Sequence, residues 1–305
     1  MPFSLARDLS AGTPTAGGNT INNGYHGSLE SVLRPNSAAI AAGARLVPGV
    51  RDGDVILPRL TKGAQVGWAD EGGSGTQGDP EFGPGITIRP RTLCGRTRYT
   101  RRLHALTSLK EGFEAAVFDD LFRSIWSEVD RVILSGSGIS NEPLGILNNT
   151  NLHMEFAGEN GGSPTWSLLT EMERELGVRL GFNSPTWITN SNVRRKLRNT
   201  PKASGLDFCW SDNNNLLGHR TEVTEHIPSD IEKGTGADLS AIIFGDFSTI
   251  VLPIWGPAAI DVVVNPYTYA KDGLVELIGL CDIGVGFRHD DAFIVCKDLD
   301  TTVAG

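Results

Sequence analysis

The chain has no stretch of about 18 consecutive apolar residues, the length that a membrane-spanning helix requires, so the sequence predicts no membrane span. It has only four cysteines among 305 residues, and none shows C-x-x-C spacing, so we expect free thiols. Basic residues are in the minority: 27 Lys and Arg stand against 36 Asp and Glu, a formal net charge of -9. This balance argues against a protein whose main task is to grip nucleic acid, because such proteins are usually basic.

Motifs of enzyme chemistry are also absent. The sequence contains no phosphate-binding G-x-x-x-x-G-K-[ST], no zinc-binding H-E-x-x-H and no G-x-S-x-G turn for a hydrolase serine. The six histidines are scattered, and none stands at metal-ligand spacing from a cysteine. We therefore predict no catalytic, cofactor or metal site. A soluble serine hydrolase that uses Ser137 or Ser140 is a remote alternative, and it requires a base and an oxyanion hole that the sequence does not identify.

Glycine is abundant, with 37 residues against about 21 expected at its usual share of about 7%. The Gly-, Ser- and Thr-rich residues 1–28 predict an extended N-terminal arm. Asp54–Leu60 and Ile86–Arg91 alternate as strands, and the strand pattern continues through Leu93–His104. Residues 72–85 contain six glycines and two prolines, so we expect two long extended segments that flank a flexible tip.

The length of this hairpin bears on how it is stabilised. About 20 residues at roughly 3.3 Å each would reach about 60 Å, whereas a compact chain of this size is roughly 50 Å across. A lone two-stranded hairpin is marginal in water. We therefore expect another copy of the chain to hold it.

Charge is divided between the two halves of this region. Residues 64–88 carry four acids and no base, and residues 89–102 carry six arginines and no acid. One interpretation is a solvated hairpin of two signs. The other is charge complementarity between copies, in which the acidic tip of one hairpin meets the arginine-rich root of the hairpin of another copy. The candidate inter-subunit contact residues are Asp70, Glu71, Asp79, Glu81, Arg89, Arg91, Arg96, Arg98, Arg101 and Arg102.

The clearest helix is predicted over residues 108–135. The capping-box pattern Ser108-Leu-Lys-Glu111 opens it, and apolar residues recur at helical spacing as far as Gly136. Such a stripe is typical of the backbone of a core. Further helices at Ser167–Leu180 and Asn192–Asn199 interleave with apolar strands without a regular βαβ rhythm, so the predicted fold class is α+β.

One motif and seven shorter segments carry a family resemblance. The motif is Ile133-Leu-Ser-Gly-Ser-Gly138 followed by Asn141-Glu-Pro-Leu-Gly-Ile-Leu147, which is close to a "G-x-G…P-x-G-I-L" signature. The segments, in order, are Asp8–Gly18, Leu46–Leu57, Ala69–Gly73, Glu111–Val132, Trp187–Asn190 with its basic helix, the segment from Leu217-Gly218 to Pro228, and Phe244–Ser248. Together they resemble the major capsid protein family of tailed bacteriophages, of the Hong Kong ninety-seven type, over nearly the whole chain.

The resemblance implies a Hong Kong ninety-seven-type fold in four parts. These are an N-terminal arm (1–45), an extended β-hairpin loop (50–98), a peripheral domain built on the spine helix (99–168 and 266–305) and an axial domain (169–265). Many members also carry an N-terminal scaffolding segment. This chain starts with Met1 where mature chains of the family begin, so the segment is missing, the numbering restarts after an engineered start, or a separate scaffolding protein serves.

The function that the resemblance implies is structural. The chain would be a major capsid protein that self-assembles into the hexamers and pentamers of an icosahedral phage head around double-stranded DNA. It would act without a cofactor, be part of the virion and be assembled in the host cytoplasm. Its implied partners are further copies of itself, portal, scaffolding and decoration proteins, and packaged DNA bound non-specifically. An encapsulin-like nanocompartment that encloses a cargo enzyme is the alternative within the same fold.

Overall fold

The computed structural model of the chain describes residues 37–51, 53–68, 71, 78–101, 110–179, 184–204, 206–210, 214–256 and 259–302. The helices in these residues are α1 (Ala38–Ala41), α2 (Lys110–Ser135), α3 (Trp166–Arg179) and α4 (Ser191–Asn199). The strands are β1 (Arg45–Val50), β2 (Val55–Lys62), β3 (Glu81–Ile88), β4 (Arg91–Thr100), β5 (His153–Glu155), β6 (Thr186–Thr189), β7 (Asn215–Leu216), β8 (His219–Val223), β9 (Ile231–Lys233), β10 (Gly236–Gly245), β11 (Ile250–Trp255), β12 (Asp261–Asn265), β13 (Leu274–Ile283), β14 (Gly286–Phe287) and β15 (Phe293–Asp300).

A six-stranded sheet is centred on β13. This strand pairs antiparallel with β4 over ten residues, from Leu274 opposite Thr100 to Ile283 opposite Arg91. On its other side β13 pairs with β12 and, at its end, with β11. β1 lies parallel to β11, and β14 pairs antiparallel with it. The sheet therefore ties the chain on both sides of the hairpin to strands from its C-terminal third.

The long helix α2 packs on one face of this sheet. Its buried residues Leu121, Ile125 and Val129 follow one another at four-residue spacing, as one face of a helix requires. The approach is close because glycines stand opposite each other on β4 and β13. A Cβ on Gly95 would lie 2.9 Å from Leu121 Cδ1, and one on Gly279 would lie 2.7 Å from Ile125 Cδ1. A side chain at either glycine would push the helix off the sheet.

A seven-stranded sheet has the order β5-β15-β10-β6-β8-β7, with β9 also on β10. Trp187 of β6 stacks on Phe244 of β10 with 4.1 Å between ring centroids, and both side chains are fully buried. Met172 of α3 and Leu197 of α4 belong to the same apolar cluster. The side chain of Asn190 caps α4 by accepting a hydrogen bond from Val193 N–H at 3.0 Å.

The α+β class predicted from the sequence is confirmed. The predicted spine helix is α2, and the other two predicted helices correspond to α3 and α4. Ser108 of the predicted capping box lies outside the described residues. Residues 1–36 of the predicted arm also lie outside them.

The predicted length of the hairpin is wrong. The continuation through Leu93–His104 does not belong to it, because Arg91–Thr100 form β4 in the body sheet. Strand pairing in the hairpin extends over Val55–Lys62 and Glu81–Ile88, eight residues each. Alternation predicts a strand with two unlike faces, and β4 satisfies that pattern by packing one face on α2.

Sheet membership also crosses the predicted boundary between residues 265 and 266. β15, from the segment 266–305, pairs with β10 of the segment 169–265. Conversely, β11 and β12 of the segment 169–265 pair with β13. Antiparallel pairing joins strands that are far apart in sequence, and segment limits alone do not reveal it. The division into four named parts stays a prediction.

Candidate assembly surface

Strands β2 and β3 form a two-stranded sheet and, among the described strands, pair only with each other. The register runs from Val55 opposite Ile88 to Lys62 opposite Glu81, and Gln65 N–H donates to the Gly78 carbonyl beyond it at 3.4 Å. We call residues 54–68 and 78–89 the hairpin. Its exposed large apolar side chains are Ile56, Val66, Trp68 and Phe82.

The hairpin is fixed to the body at its root. Ile88 is 3% exposed and packs on Gly284 and Gly286, which have no side chains. A Cβ on Gly284 or Gly286 would lie 2.4 or 2.2 Å from carbon atoms of Ile88. The Trp255 indole Nε1–H donates to the Gly53 carbonyl at 2.9 Å. Packing and this hydrogen bond together set the direction in which the hairpin leaves the body.

The described acidic candidates lie on the hairpin or next to its far end. Glu71, Asp79 and Glu81 are exposed. Lys62 Nζ lies 3.1 Å from Glu81 Oε1 across the two strands, and both side chains are at least half exposed, so this pair contributes at most about 1 kcal/mol. Asp70 lies outside the described residues. The role of these carboxylates in contacts between copies stays a prediction.

Two of the basic candidates lie at the root. Arg89 Nε is 3.4 Å from Asp54 Oδ2, and both side chains are exposed. Arg91 Nη1 donates to the amide oxygen of Asn141 at 2.8 Å. These arginines stand at the opposite end of the hairpin from Glu71, which is the arrangement that complementarity between copies requires.

The structure gives Arg98 a partner within its own chain. Its Nε lies 3.1 Å from Glu276 Oε1, its Nη2 donates to the Tyr269 hydroxyl at 2.6 Å, and its guanidinium lies 3.8 Å from the centre of that ring. Glu276 is a buried carboxylate, and a buried charge needs such a partner. Arg98 therefore has a carboxylate partner within its own subunit, and its contact with a carboxylate of another copy stays a prediction.

The other body arginines have different surroundings. Arg96 is exposed on β4. The backbone N–H of Arg101 donates to the Gly273 carbonyl at 2.9 Å, and its side chain is half-buried. Arg102 lies outside the described residues. A contact between copies through these three arginines stays a prediction.

The G-x-G…P-x-G-I-L motif forms a tight return at the end of α2. Gly136 and Gly145 face each other so closely that a Cβ on Gly145 would lie 2.3 Å from Gly136 N and 2.6 Å from the Val132 carbonyl oxygen. The Asn148 side-chain amide donates to the carbonyls of Ser135 and Gly136, both at 3.0 Å. These bonds satisfy carbonyls that the end of the helix leaves open.

Both serines of the hydrolase alternative lie in this return. The Ser137 hydroxyl donates to Glu142, whose carboxylate also accepts from Arg131. The hydrogen bond from Ser137 has the largest effect on the pKa of Glu142 and lowers it. Partial burial raises this pKa, but the contact with Arg131 lowers it further, so it stays below its ordinary value. This carboxylate is therefore a weak base toward a serine. Ser140 and Asn141 have left-handed φ angles of 54° and 69°, as in a tight turn. The arrangement is that of a structural turn.

Asp130 is a positioning residue that the sequence analysis does not identify. It is 1% exposed on α2 and accepts hydrogen bonds from Ser37 Oγ at 2.6 Å, Ala38 N–H at 3.2 Å and Ala39 N–H at 3.0 Å. The N-terminal amides of α1 thus donate to a carboxylate of α2, and a negative charge is favourable at the N-terminus of a helix. A signal does exist, because Asp130 follows Trp126 by four residues and interrupts the apolar stripe.

Comparison with known proteins bears on this arrangement. The family model described as "Phage capsid family" matches residues 17–298, which include the hairpin, α2 and both sheets. The chain belongs to the phage capsid family. The major capsid protein of Halomonas phage phiHAP-1 is 26% identical to it over 297 residues, which are 96% of this chain and 46% of that relative. The chain therefore spans about half the length of this curated member of the phage capsid family.

Solved capsid structures share the fold of this phage capsid family member. The capsid chain of an empty GTA particle has a TM-score of 0.69 at 20% identity, over 96% of this chain and all of the other. A chain of Gordonia phage Cozz has a TM-score of 0.65 at 14% identity, over 86% of each chain. A chain of Mycobacterium phage Adephagia has a TM-score of 0.63 at 13% identity, over 96% and 99%. These similarities confirm the Hong Kong ninety-seven-type capsid fold predicted from the sequence.

The described residues of this phage capsid family member offer neither a cluster of metal ligands nor a membrane-spanning helix. They contain no group of three or more His, Cys, Asp or Glu side chains placed to hold a metal ion. No helix among them is long and apolar enough to cross a membrane.

Proposed function

We propose that the chain is a major capsid protein that self-assembles into the hexamers and pentamers of an icosahedral phage head around double-stranded DNA. Membership of the phage capsid family and the shared capsid fold support this proposal. The observation that carries it is the hairpin, a two-stranded element fixed at one end with exposed apolar side chains along its length. A second chain can cover those side chains.

The apolar side chains of the hairpin supply a driving force. Trp68 is fully exposed, and Val66 and Phe82 are 93% and 73% exposed. Burying one large aromatic side chain removes about 150–250 Å² from water, which at about 25 cal/mol per Å² is at most about 4–6 kcal/mol. Association itself costs about 4–15 kcal/mol. Several such contacts in a ring outweigh that cost, because closing the ring makes the last contact intramolecular.

The proposal extends to contents and location. A net charge of -9 suits a container, since a wall that bound phosphate tightly would hold back DNA during packaging and release. We therefore assign DNA a non-specific place among the partners, beside portal, scaffolding and decoration proteins. The subunit becomes part of the virion after assembly in the host cytoplasm, and its role is structural.

Deletion of the hairpin tests the proposal. Residues 57–86 are replaced by an Asn-Gly turn that joins Ile56 to Thr87, which are opposite each other in the register. Wild-type protein should elute as a megadalton particle and show shells by negative-stain electron microscopy. The deletion should give a small species that keeps the helical circular dichroism signal of the body, because β2 and β3 pair with no other described strand.

The control is Val178→Ser, which alters a 72%-exposed apolar residue of α3 in the body and should assemble normally. Shells at wild-type yield from the deletion would show that the hairpin does not drive assembly. Wild-type protein that stays monomeric under capsid-forming conditions would overturn the proposal as a whole.

A further inference from the structure

A groove lies at the root of the hairpin, between the start of β4, the C-terminal half of α2 and the return that follows it. Its volume is about 360 Å³, at the lower end of the roughly 300–1,000 Å³ that is usual for ligand pockets. Its polar lining includes Arg91, Asn141, Arg131, Glu128 and Glu142. Its apolar lining includes Leu93, Val129, Val132 and Ile283.

The charged residues that line the groove indicate which kind of group binds there. Arg131 contacts Glu128 at 2.6 Å and also pairs with Glu142, so this arginine is surrounded by carboxylates. Arg91 instead donates to the neutral amide oxygen of Asn141. A group that fits this groove therefore combines a large apolar side chain with an acidic neighbour.

Trp68 and Glu71 provide that combination. The chain has six tryptophans, and Trp68 is the one that is fully exposed, whereas Trp126, Trp187, Trp210 and Trp255 are at most 9% exposed and Trp166 is half-buried. Glu71 is exposed three residues after Trp68. An indole on solvent is a large apolar surface that association can cover.

The same chain does not bring this tryptophan to its own groove. Gln65 is ten residues beyond Val55, which is about 33 Å along an extended strand. The hydrogen bond from Gln65 to Gly78 keeps the two strands together that far. Trp68 lies three residues further still, so the hairpin holds it on the order of 40 Å from the root.

We propose that Trp68 of one copy occupies the groove at the hairpin root of the neighbouring copy, with Glu71 beside the Arg91 of that neighbour. The inference rests on the proposed function, because it takes the partner to be a second copy of this chain. The contact joins the far end of one hairpin to the root of the next. Such a head-to-tail contact, repeated with a rotation that closes, generates a ring.

Iodide quenching tests the burial of Trp68. Iodide quenches exposed indoles, so the unassembled subunit should show a quenchable component that the Trp68→Phe variant lacks. That component should disappear when wild-type shells form. Shells that retain it would overturn the inference and leave the proposed function intact. Wild-type protein that forms no shells under any capsid-forming condition would overturn the proposed function itself.

The contribution of the side chain is measured by the lowest concentration at which shells form. Trp68→Ala should raise it by roughly thirtyfold or more, as for an anchor residue in an interface, and Trp68→Phe should recover most of the loss. Tyr267→Ala is the matched control, because Tyr267 is an 81%-exposed aromatic residue of the body and should leave the concentration within about twofold. Equal behaviour of the Trp68→Ala and Tyr267→Ala variants would overturn the inference.

A charge exchange tests the position of the groove. Glu71→Arg and Arg91→Glu should each raise the assembly concentration roughly fivefold, and the double variant should restore it, because every copy carries both ends of the contact. Restoration reports pairing between residue 71 of one copy and residue 91 of another. Single variants that assemble like wild type, or a double variant as poor as both losses combined, would overturn the placement of Trp68 in this groove.

Discussion

The substitution Asp130→Ala tests how the body holds the segment that leads out of the N-terminal region. The carboxylate of Asp130 accepts hydrogen bonds from Ser37 Oγ, Ala38 N–H and Ala39 N–H at 2.6, 3.2 and 3.0 Å. Ser37 is 4% exposed and Ala39 is fully buried, so water does not replace the lost acceptor at these two sites. The substitution therefore leaves buried donors without partners.

The expected loss follows from the number of those donors. Each buried donor left unsatisfied costs about 1–3 kcal/mol, so two of them predict a loss of about 3–5 kcal/mol in the free energy of unfolding. Asp130→Asn keeps one oxygen, which can still accept from Ser37 and Ala39, and loses the acceptor of Ala38. We expect about 1–2 kcal/mol for this variant. Asp120→Ala, at an exposed position on the same helix, should change stability by less than about 0.5 kcal/mol.

Urea unfolding of the unassembled subunit measures these differences. Tryptophan fluorescence reports the unfolding, and Trp126, which is 3% exposed and lies one turn before Asp130, contributes to it. Midpoints should fall in the order Asp120→Ala, Asp130→Asn, Asp130→Ala at a constant slope. An Asp130→Ala variant within about 0.5 kcal/mol of Asp120→Ala would refute the reasoning, because it would mean that the freed donors find other partners.

Three further predictions concern other sites. Burial raises the pKa of Asp298, but hydrogen bonds from a backbone amide and a lysine outweigh it and hold this pKa below its ordinary value. Its carboxylate therefore stabilises the subunit above about pH 4. Asp298→Asn should lower the free energy of unfolding at pH 7, and the variant should then lose less stability than the wild type between pH 7 and pH 3; urea unfolding at both pH values checks this. Gly145→Ala should cost about 3 kcal/mol or more, because the new Cβ has a backbone atom at 2.3 Å, whereas Gly63→Ala, with nothing within 4 Å, should be tolerated; soluble yield and urea midpoints compare the two. A thiol reagent at pH 8 should modify only Cys94 before unfolding, because Cys94 is exposed and burial raises the pKa of Cys281 to about 12; two fast thiols would contradict this.

The elements that local periodicity dictates are predictable from the sequence. The apolar stripe of α2 predicts which side of the helix is buried, and Leu121, Ile125 and Val129 lie there. The second half of β13 alternates between half-buried and buried residues, from Ile278 to Ile283, as one face of a strand requires. Both elements place one regular face on the core, and that face imposes its own period on the sequence.

Periodicity does not identify the partner of a strand. β4 alternates as clearly as the hairpin strands, yet it pairs with β13, whose residues lie more than 170 positions away in sequence, as for Arg98 and Glu276. Gly95 and Gly279 are opposite each other in this pairing because α2 packs closely on them. Their role cannot be read from the sequence, since it depends on the position of that helix. The structure therefore assigns to the body sheet a strand that the pattern alone assigns to the hairpin.

The candidate site divides in the same way. Composition indicates an acidic tip and a basic root on the hairpin, because those charges lie close together in sequence. The groove cannot be predicted from composition, because Arg91 and Asn141 are 50 residues apart in sequence. They come together only when β4 pairs in the sheet and the return after α2 folds beside it. Sites assembled from several elements leave no local signature.

The structure also indicates which part of the subunit would adapt to the two ring sizes of the proposed assembly. A ring of five turns by about 72° per copy and a ring of six by about 60°, so one subunit must absorb a difference of roughly 12°. The root is a poor place for it, because Ile88 packs directly on Gly284 and Gly286. The hairpin register instead shifts between Leu57 and Arg59, and irregularities of this kind bend and twist a strand pair. The proposed head-to-tail contact would therefore be made in rings of both sizes if the hairpin bends at this irregularity and its root stays fixed.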